Sequence, residues 1–181
     1  MTHTLKLLCA TAATLLATAA QAAVLTLSPA NVGAYAGQTT GWGFSLFNDS
    51  TSGYLLVTGT DFAPGAPSAF GSYADLLGPR ADWLVLAPMA TWAEAYDAGL
   101  RTGLGEFSLA PSAAGPLSGQ VWLHYALFSV DPTTAGFDPD RDTIRVDASI
   151  AALATVTAVP EPGSWALLLA GLLALRARRR A

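Results

Sequence analysis

The sequence predicts an all-β fold: an antiparallel β-sandwich of about seven to nine strands, flanked by an N-terminal signal helix and a short C-terminal transmembrane helix. Three observations carry this. Between residues 24 and 158, no apolar pattern keeps a helical period over ten or more residues, whereas alternation recurs. Gly and Pro recur at turn-like intervals through the same region. Each end of the chain holds a single short apolar run of its own.

The strands are taken in chain order. Trp42, Phe44 and Leu46 share one face of GWGFSLFN, and YLLVTGTDF follows the turn NDSTSG, which reads as a hairpin with a loop. Asp82–Ala87 reads as a short strand that stops before Pro88. Thr91–Leu100 is read as strand or loop, against a short helix stopped by Gly99. Gln120–Val130 is the strongest strand, apolar on both faces, as in a central strand covered on both sides. Thr143–Asp147 alternates cleanly, and Ser149–Ala158 continues with Ile150 and small or β-branched residues.

The ends have a different chemistry. A polar start with Lys6 precedes LLCATAATLLATAA, and Ala20-Gln21-Ala22 then Ala23 completes an A-x-A cleavage site. This is a secretory signal peptide over 1–23, cut at Ala22 or Ala23 by signal peptidase after passage through the secretion translocon. Cleavage removes Cys9, the one cysteine, so thiol chemistry, disulfides and thiolate metal sites are excluded from the mature chain. The domain at 24–158 must hold itself by its own core, which its length allows. It carries four arginines against twelve carboxylates, a net charge of −8. That excludes a basic nucleic-acid interface.

At the other end, Pro160-Glu161-Pro162 is followed by the apolar run Trp165–Leu175 and then by Arg176, Arg178, Arg179 and Arg180. Eleven apolar residues make a helix of about 16 Å, against a hydrocarbon core of about 30 Å, so the run is marginal as a permanent anchor. The arginines act as the membrane stop and keep the tail cytoplasmic, with the domain outside, the orientation that the signal peptide also demands. The two prolines hold Glu161 in extended backbone, the form that a processing enzyme binds.

These residues, 159–181, closely resemble the PEP-CTERM sorting domain of Gram-negative bacteria, with motif, helix and basic tail in order. The resemblance implies recognition by an exosortase, transient anchoring in the inner membrane, cleavage near the motif, and delivery to the cell surface or extracellular matrix. The segments GWGFSLFNDSTSGYLLVTGTDF and HYALFSVDPTTAGFDPDRDT resemble parts of other short exported proteins of this kind, which have no assigned activity.

Within the domain, catalytic motifs are scarce. His124 is the one histidine, sits in the most apolar strand, and reads as a hydrogen-bonded sheet residue. No G-x-S-x-G or phosphate loop is present, and no enzymatic activity is expected. Asp138, Asp140 and Asp142 match the first three ligand spacings of a calcium loop, but Thr143 and Ser149 stand where Gly and Glu belong. A looser Ca²⁺ site is weighed against an Asp/Pro-rich solvated loop neutralised by Arg141, and the solvated loop is the expectation. No other cofactor is expected. Trp42 and Trp122 read as core, and sequon-like Asn48-Asp49-Ser50 lies in a predicted turn, where glycosylation is sterically plausible but not the expectation. The functional expectation is an exported, exosortase-sorted envelope or matrix protein with a structural or adhesive β-domain. The alternative is a carbohydrate-binding module for extracellular polysaccharide, Ca²⁺-assisted or not.

Overall fold

Apolar alternation places Leu25 and Leu27, Trp42 with Phe44 and Leu46, and Leu55 with Val57 on faces that must leave water. The computed structural model, which describes residues 23–80, 84–160 and positions 163, 170, 172 and 176, buries them in one core. The strands are β1 (Val24–Ser28), β2 (Asn31–Tyr35), β3 (Thr39–Phe47), β4 (Tyr54–Ala63), β5 (Gly71–Asp75), β6 (Val85–Leu86), β7 (Thr91–Glu94), β8 (Gly105–Leu109), β9 (Gly115–Phe128) and β10 (Thr143–Val159). One helical turn, α1 (Pro139–Asp142), precedes β10.

The first sheet runs β1-β3-β8-β5, with β7 also paired to β3; the second runs β2-β10-β9-β4-β6. The all-β reading therefore stands, with ten strands among the described residues rather than seven to nine. The sheets are not purely antiparallel. β2 pairs parallel with the end of β10, Asn31 opposite Thr155 and Tyr35 opposite Val159. β1 and β2 form one descending run that leaves the first sheet near Pro29 and joins the second.

The expected hairpin between GWGFSLFN and YLLVTGTDF is not formed. β3 and β4 lie in opposite sheets, and the segment between them turns the corner. Asn48 does this work from a fully buried position. Its Nδ2 donates to the carbonyls of Gly53 at 2.8 Å, Leu86 at 3.1 Å and Ala87 at 3.0 Å, and its Oδ1 accepts from Ser50 N–H at 3.2 Å. The sequon reading is thereby corrected: the amide nitrogen is used inside the fold. Asn48→Ala would take the buried amide away from the Gly53 and Leu86 carbonyls and from Ser50 N–H, while Ala87 O keeps Ala90 N–H at 3.1 Å, and a loss of about 2–4 kcal/mol is expected. Thermal unfolding of the purified domain checks this.

Two expected strands, Thr143–Asp147 and Ser149–Ala158, are one. Register shifts against β9 on either side of Arg145 absorb the break, and Asp147 takes φ 54°. A bulge of this kind keeps a strand continuous while re-aiming its faces. Of Asp82–Ala87, only Val85–Leu86 is strand, and residues 81–83 lie outside the described residues. Thr91–Glu94 is strand β7, within the stretch read as strand or loop.

β9 is central, between β10 and β4, and its outer face is covered only toward its end, where Ala126 and Phe128 are buried and Phe137 packs on Phe128 at 5.0 Å. Val121, Leu123, Tyr125 and Leu127 face the core, while Trp122 and His124 face outward and are half-buried. Trp42, by contrast, is fully buried. Its indole lies 6.1 Å from the Phe62 ring and 6.3 Å from Tyr73, and its Nε1 donates to Ala30 O at 3.2 Å. With Phe107 at 5.6 Å from Phe62, these rings join the two sheets.

Candidate functional site

Three places concern the residues singled out in the sequence. The first is the outer face of the second sheet. Register sets Asp61 and Ala151 opposite Trp122, and Ser149 opposite His124, on β4, β9 and β10. His124 Nε2 lies 2.7 Å from Asp61 Oδ2, with both side chains substantially exposed. An ionised carboxylate only accepts, so Nε2–H is the donor in this bond. Strands on both sides of β9 use its backbone N–H groups in the ladders. The pair sits on the outer face of the second sheet, beside the register shift of β4 between Val57 and Gly59. Below it, Trp122 lines an open groove of about 550 Å³ with Ala63, Pro64, Ser118, Gly119, Gln120 and Leu153. Leu153 is 75% exposed. Expecting Trp122 in the core missed this surface. Only the strand register brings Asp61 to His124, since the two are 63 residues apart.

The second place is the aspartate loop. Asp138 caps α1, its Oδ1 accepting from Asp140 N–H at 3.1 Å. Asp142 turns away into the fold and is buried. Its carboxylate accepts from Arg141 Nε and Nη2, both at 2.8 Å, and from Asp138 N–H at 2.9 Å. The Arg141 guanidinium, helped by the Asp138 N–H, holds the Asp142 carboxyl below the usual carboxylate range. The three aspartates that matched a calcium spacing thus serve as cap, exposed side chain and ion-pair partner. Among the described residues, no group of three or more His, Cys, Asp or Glu side chains is placed to hold a metal ion. Thr133 lowers Asp131 in the same loop, its hydroxyl donating at 2.7 Å and its backbone N–H at 2.9 Å.

The third place is the exit of the chain. β10 is paired on both sides up to its last residues, Ala158 with Gly115 of β9 and Val159 with Tyr35 of β2. Pro160 follows directly and is exposed. Ala23, at the other end of the domain, is buried next to β1. The remaining expectations about the ends fall on Ala22, Glu161, Pro162, Arg178, Arg179 and Arg180, which lie outside the described residues, as do the signal segment and most of the apolar run. Arg176 is described, in helical conformation and exposed. Among the described residues, no helix is long and apolar enough to cross a membrane.

Against known families, residues 158–180 match the PEP-CTERM protein-sorting motif. This motif is the recognition signal for an exosortase, and it implies export and transient membrane anchoring before processing. No curated protein matches the chain. One similar solved structure is WR4, a C. elegans MSP family member, at 11% identity and TM-score 0.30, covering 75% of this chain and 97% of that chain. No functional statement follows from it.

Proposed function

We propose that this chain is an exported envelope or extracellular-matrix protein whose β-domain acts as a non-enzymatic structural or adhesive module. In this reading, signal peptidase removes residues 1–23, the sandwich folds outside the inner membrane, and an exosortase cuts near Pro160-Glu161-Pro162. The observation that carries it is the sorting motif at 158–180. The position of the motif supports it: β10 runs to Val159 and Pro160 follows directly, so the motif begins where the last strand ends. Glu161→Ala is expected to leave export intact and to accumulate uncleaved, membrane-held precursor in an exosortase-bearing host. Normal processing of that variant, read by gel mobility of membrane and released fractions, would count against the reading.

One observation favours the carbohydrate-binding alternative for the domain. Trp122 presents an indole on an open face beside Gln120, Ser118, Asp61 and His124. An aromatic face packs on the C–H side of a sugar ring while amide, hydroxyl and carboxylate groups meet its hydroxyls. Glycan-array binding by the mature protein, with and without Ca²⁺, separates the two: strong retention that Trp122→Ala abolishes favours the module, and silence favours the structural role.

A further inference from the structure

Strand direction gives the sandwich two unlike ends. β10 descends from Thr143 to Val159, so the loop over 129–142 and the corner over 48–53 lie at the upper end and Pro160 leaves from the lower one. Three other segments meet at that lower end. Gln38 O accepts from Leu109 N–H at 2.9 Å, Phe70 O accepts from Ala110 N–H at 2.9 Å, and Ser112 Oγ donates to Ala69 O at 3.0 Å. Gly115 closes onto Ala158, and Tyr35 onto Val159. The lower end is therefore one continuous surface built from residues 33–40, 62–72, 108–120 and 154–160.

None of those residues is Asp, Glu, Lys, Arg or His. The surface is made mostly of Ala, Pro, Gly, Ser and Thr, with Gln38 exposed and Tyr35 39% and Val159 41% exposed. The upper end holds Asp49, Asp131, Asp138, Asp140, Arg141, Asp142, Arg145 and Asp147. Sixteen residue steps of strand put the two ends about 50 Å apart, some five Debye lengths at 0.1 M salt. The nearest acids above the lower end each have a partner: Asp61, 57% exposed, lies 2.7 Å from His124, Glu106 pairs with Arg101 at 3.1 Å, and Asp75 bonds inward to Thr60. Glu161, one residue beyond Pro160, belongs to the sorting motif.

The tether is short as well. Five residues, 160–164, separate the last paired strand residue from the apolar run, a reach of about 17 Å when fully extended. We propose that the charge-free lower end is a lipid-facing surface, on which the domain rests against the headgroups while its tail is still uncut. This rests on the reading that residues 165–175 insert in the bilayer. An uncharged surface loses no ion hydration on entering the headgroup layer, and a tyrosine at its rim suits that layer. Half of the acidic net charge, −4 of −8, is carried at the far end, where it does not oppose contact with anionic lipid.

The test uses the signal-cleaved chain, residues 24–181, which has no cysteine, reconstituted by its own tail into vesicles of phosphatidylethanolamine and phosphatidylglycerol with headgroup nitroxides. A fluorophore is placed by Ser68→Cys, Ala114→Cys or Ala135→Cys, all exposed positions. Quenching is expected at 68 and 114 and lost at 135. Adding Ala69→Asp with Ala114→Asp is expected to reduce quenching at 68, with recovery in high salt. If the chain floats with the vesicles but quenching is equal at all three positions or absent, the lipid contact is overturned and tail insertion stands. Quenching at 68 and 114 only when exosortase is co-reconstituted overturns it in favour of a protein contact. Failure to float overturns both readings.

Discussion

Asp75→Ala is expected to destabilise the domain by about 3–5 kcal/mol, a large share of the 5–15 kcal/mol that holds a typical domain folded. Asp75 ends β5 in the first sheet, and its carboxylate reaches across to β4 in the second. Oδ2 accepts from Thr60 N–H at 3.0 Å, and Oδ1 accepts from Thr60 Oγ1 at 2.7 Å and Leu77 N–H at 2.8 Å. Thr60 is buried, and its hydroxyl also lies 2.8 Å from Tyr73 Oη. Because the Thr60 proton is directed at the carboxylate, the phenol donates to Thr60. Burial pushes the Tyr73 phenol far up, so it stays a donor at any working pH. Removing the carboxylate strands two backbone donors and one hydroxyl inside the sandwich. Asp75→Asn keeps one acceptor oxygen and is expected to fall between. Urea unfolding should show a lower midpoint at unchanged slope. A midpoint for Asp75→Ala within error of the parent would sink the idea that this carboxylate clamps the two sheets.

Alternation made the strands legible because it reports which residues share a face. It does not report which sheet a strand joins. Trp42-Phe44-Leu46 and Leu55-Val57 both point inward, which a hairpin and a sheet-crossing corner satisfy equally well. The corner was decided by Asn48, whose amide meets carbonyls from residues 53, 86 and 87. No local pattern announces a bond spanning 39 residues. Parallel pairing of β2 was hidden for the same reason. The calcium-like spacing of Asp138, Asp140 and Asp142 was legible as a row of carboxylates, but Arg141 beside them drew Asp142 inward. The sorting end needed no fold to be read, since its motif, apolar run and arginines are contiguous. Its setting did need the fold: four charge-free runs, far apart in sequence, converge beside it only through strand direction.

The two tryptophans that looked alike in the sequence are expected to part company by several kcal/mol. Trp42→Ala empties the centre of the sandwich, breaks ring packing with Phe62 and Tyr73, and removes one of two donors to the Ala30 carbonyl, which keeps Thr155 N–H at 3.1 Å. A loss of about 3–5 kcal/mol is expected for an aromatic-to-alanine change at a fully buried site. Trp122→Ala trims a side chain on the outer face, flanked by small Ala151 and Gly119, and about 1 kcal/mol or less is expected there. Fluorescence separates the two before any unfolding is done. Iodide should quench the Trp122 indole and leave Trp42 untouched, so the quenchable fraction should fall in Trp122→Ala. Stability then assigns each side chain its role: if Trp122→Ala were to unfold the domain as Trp42→Ala does, the outer face would be a second core covered by something else, and neither a sugar nor open solvent would be its natural contact. If Trp122→Ala is stable and glycan retention is lost with it, the indole is there to be touched from outside.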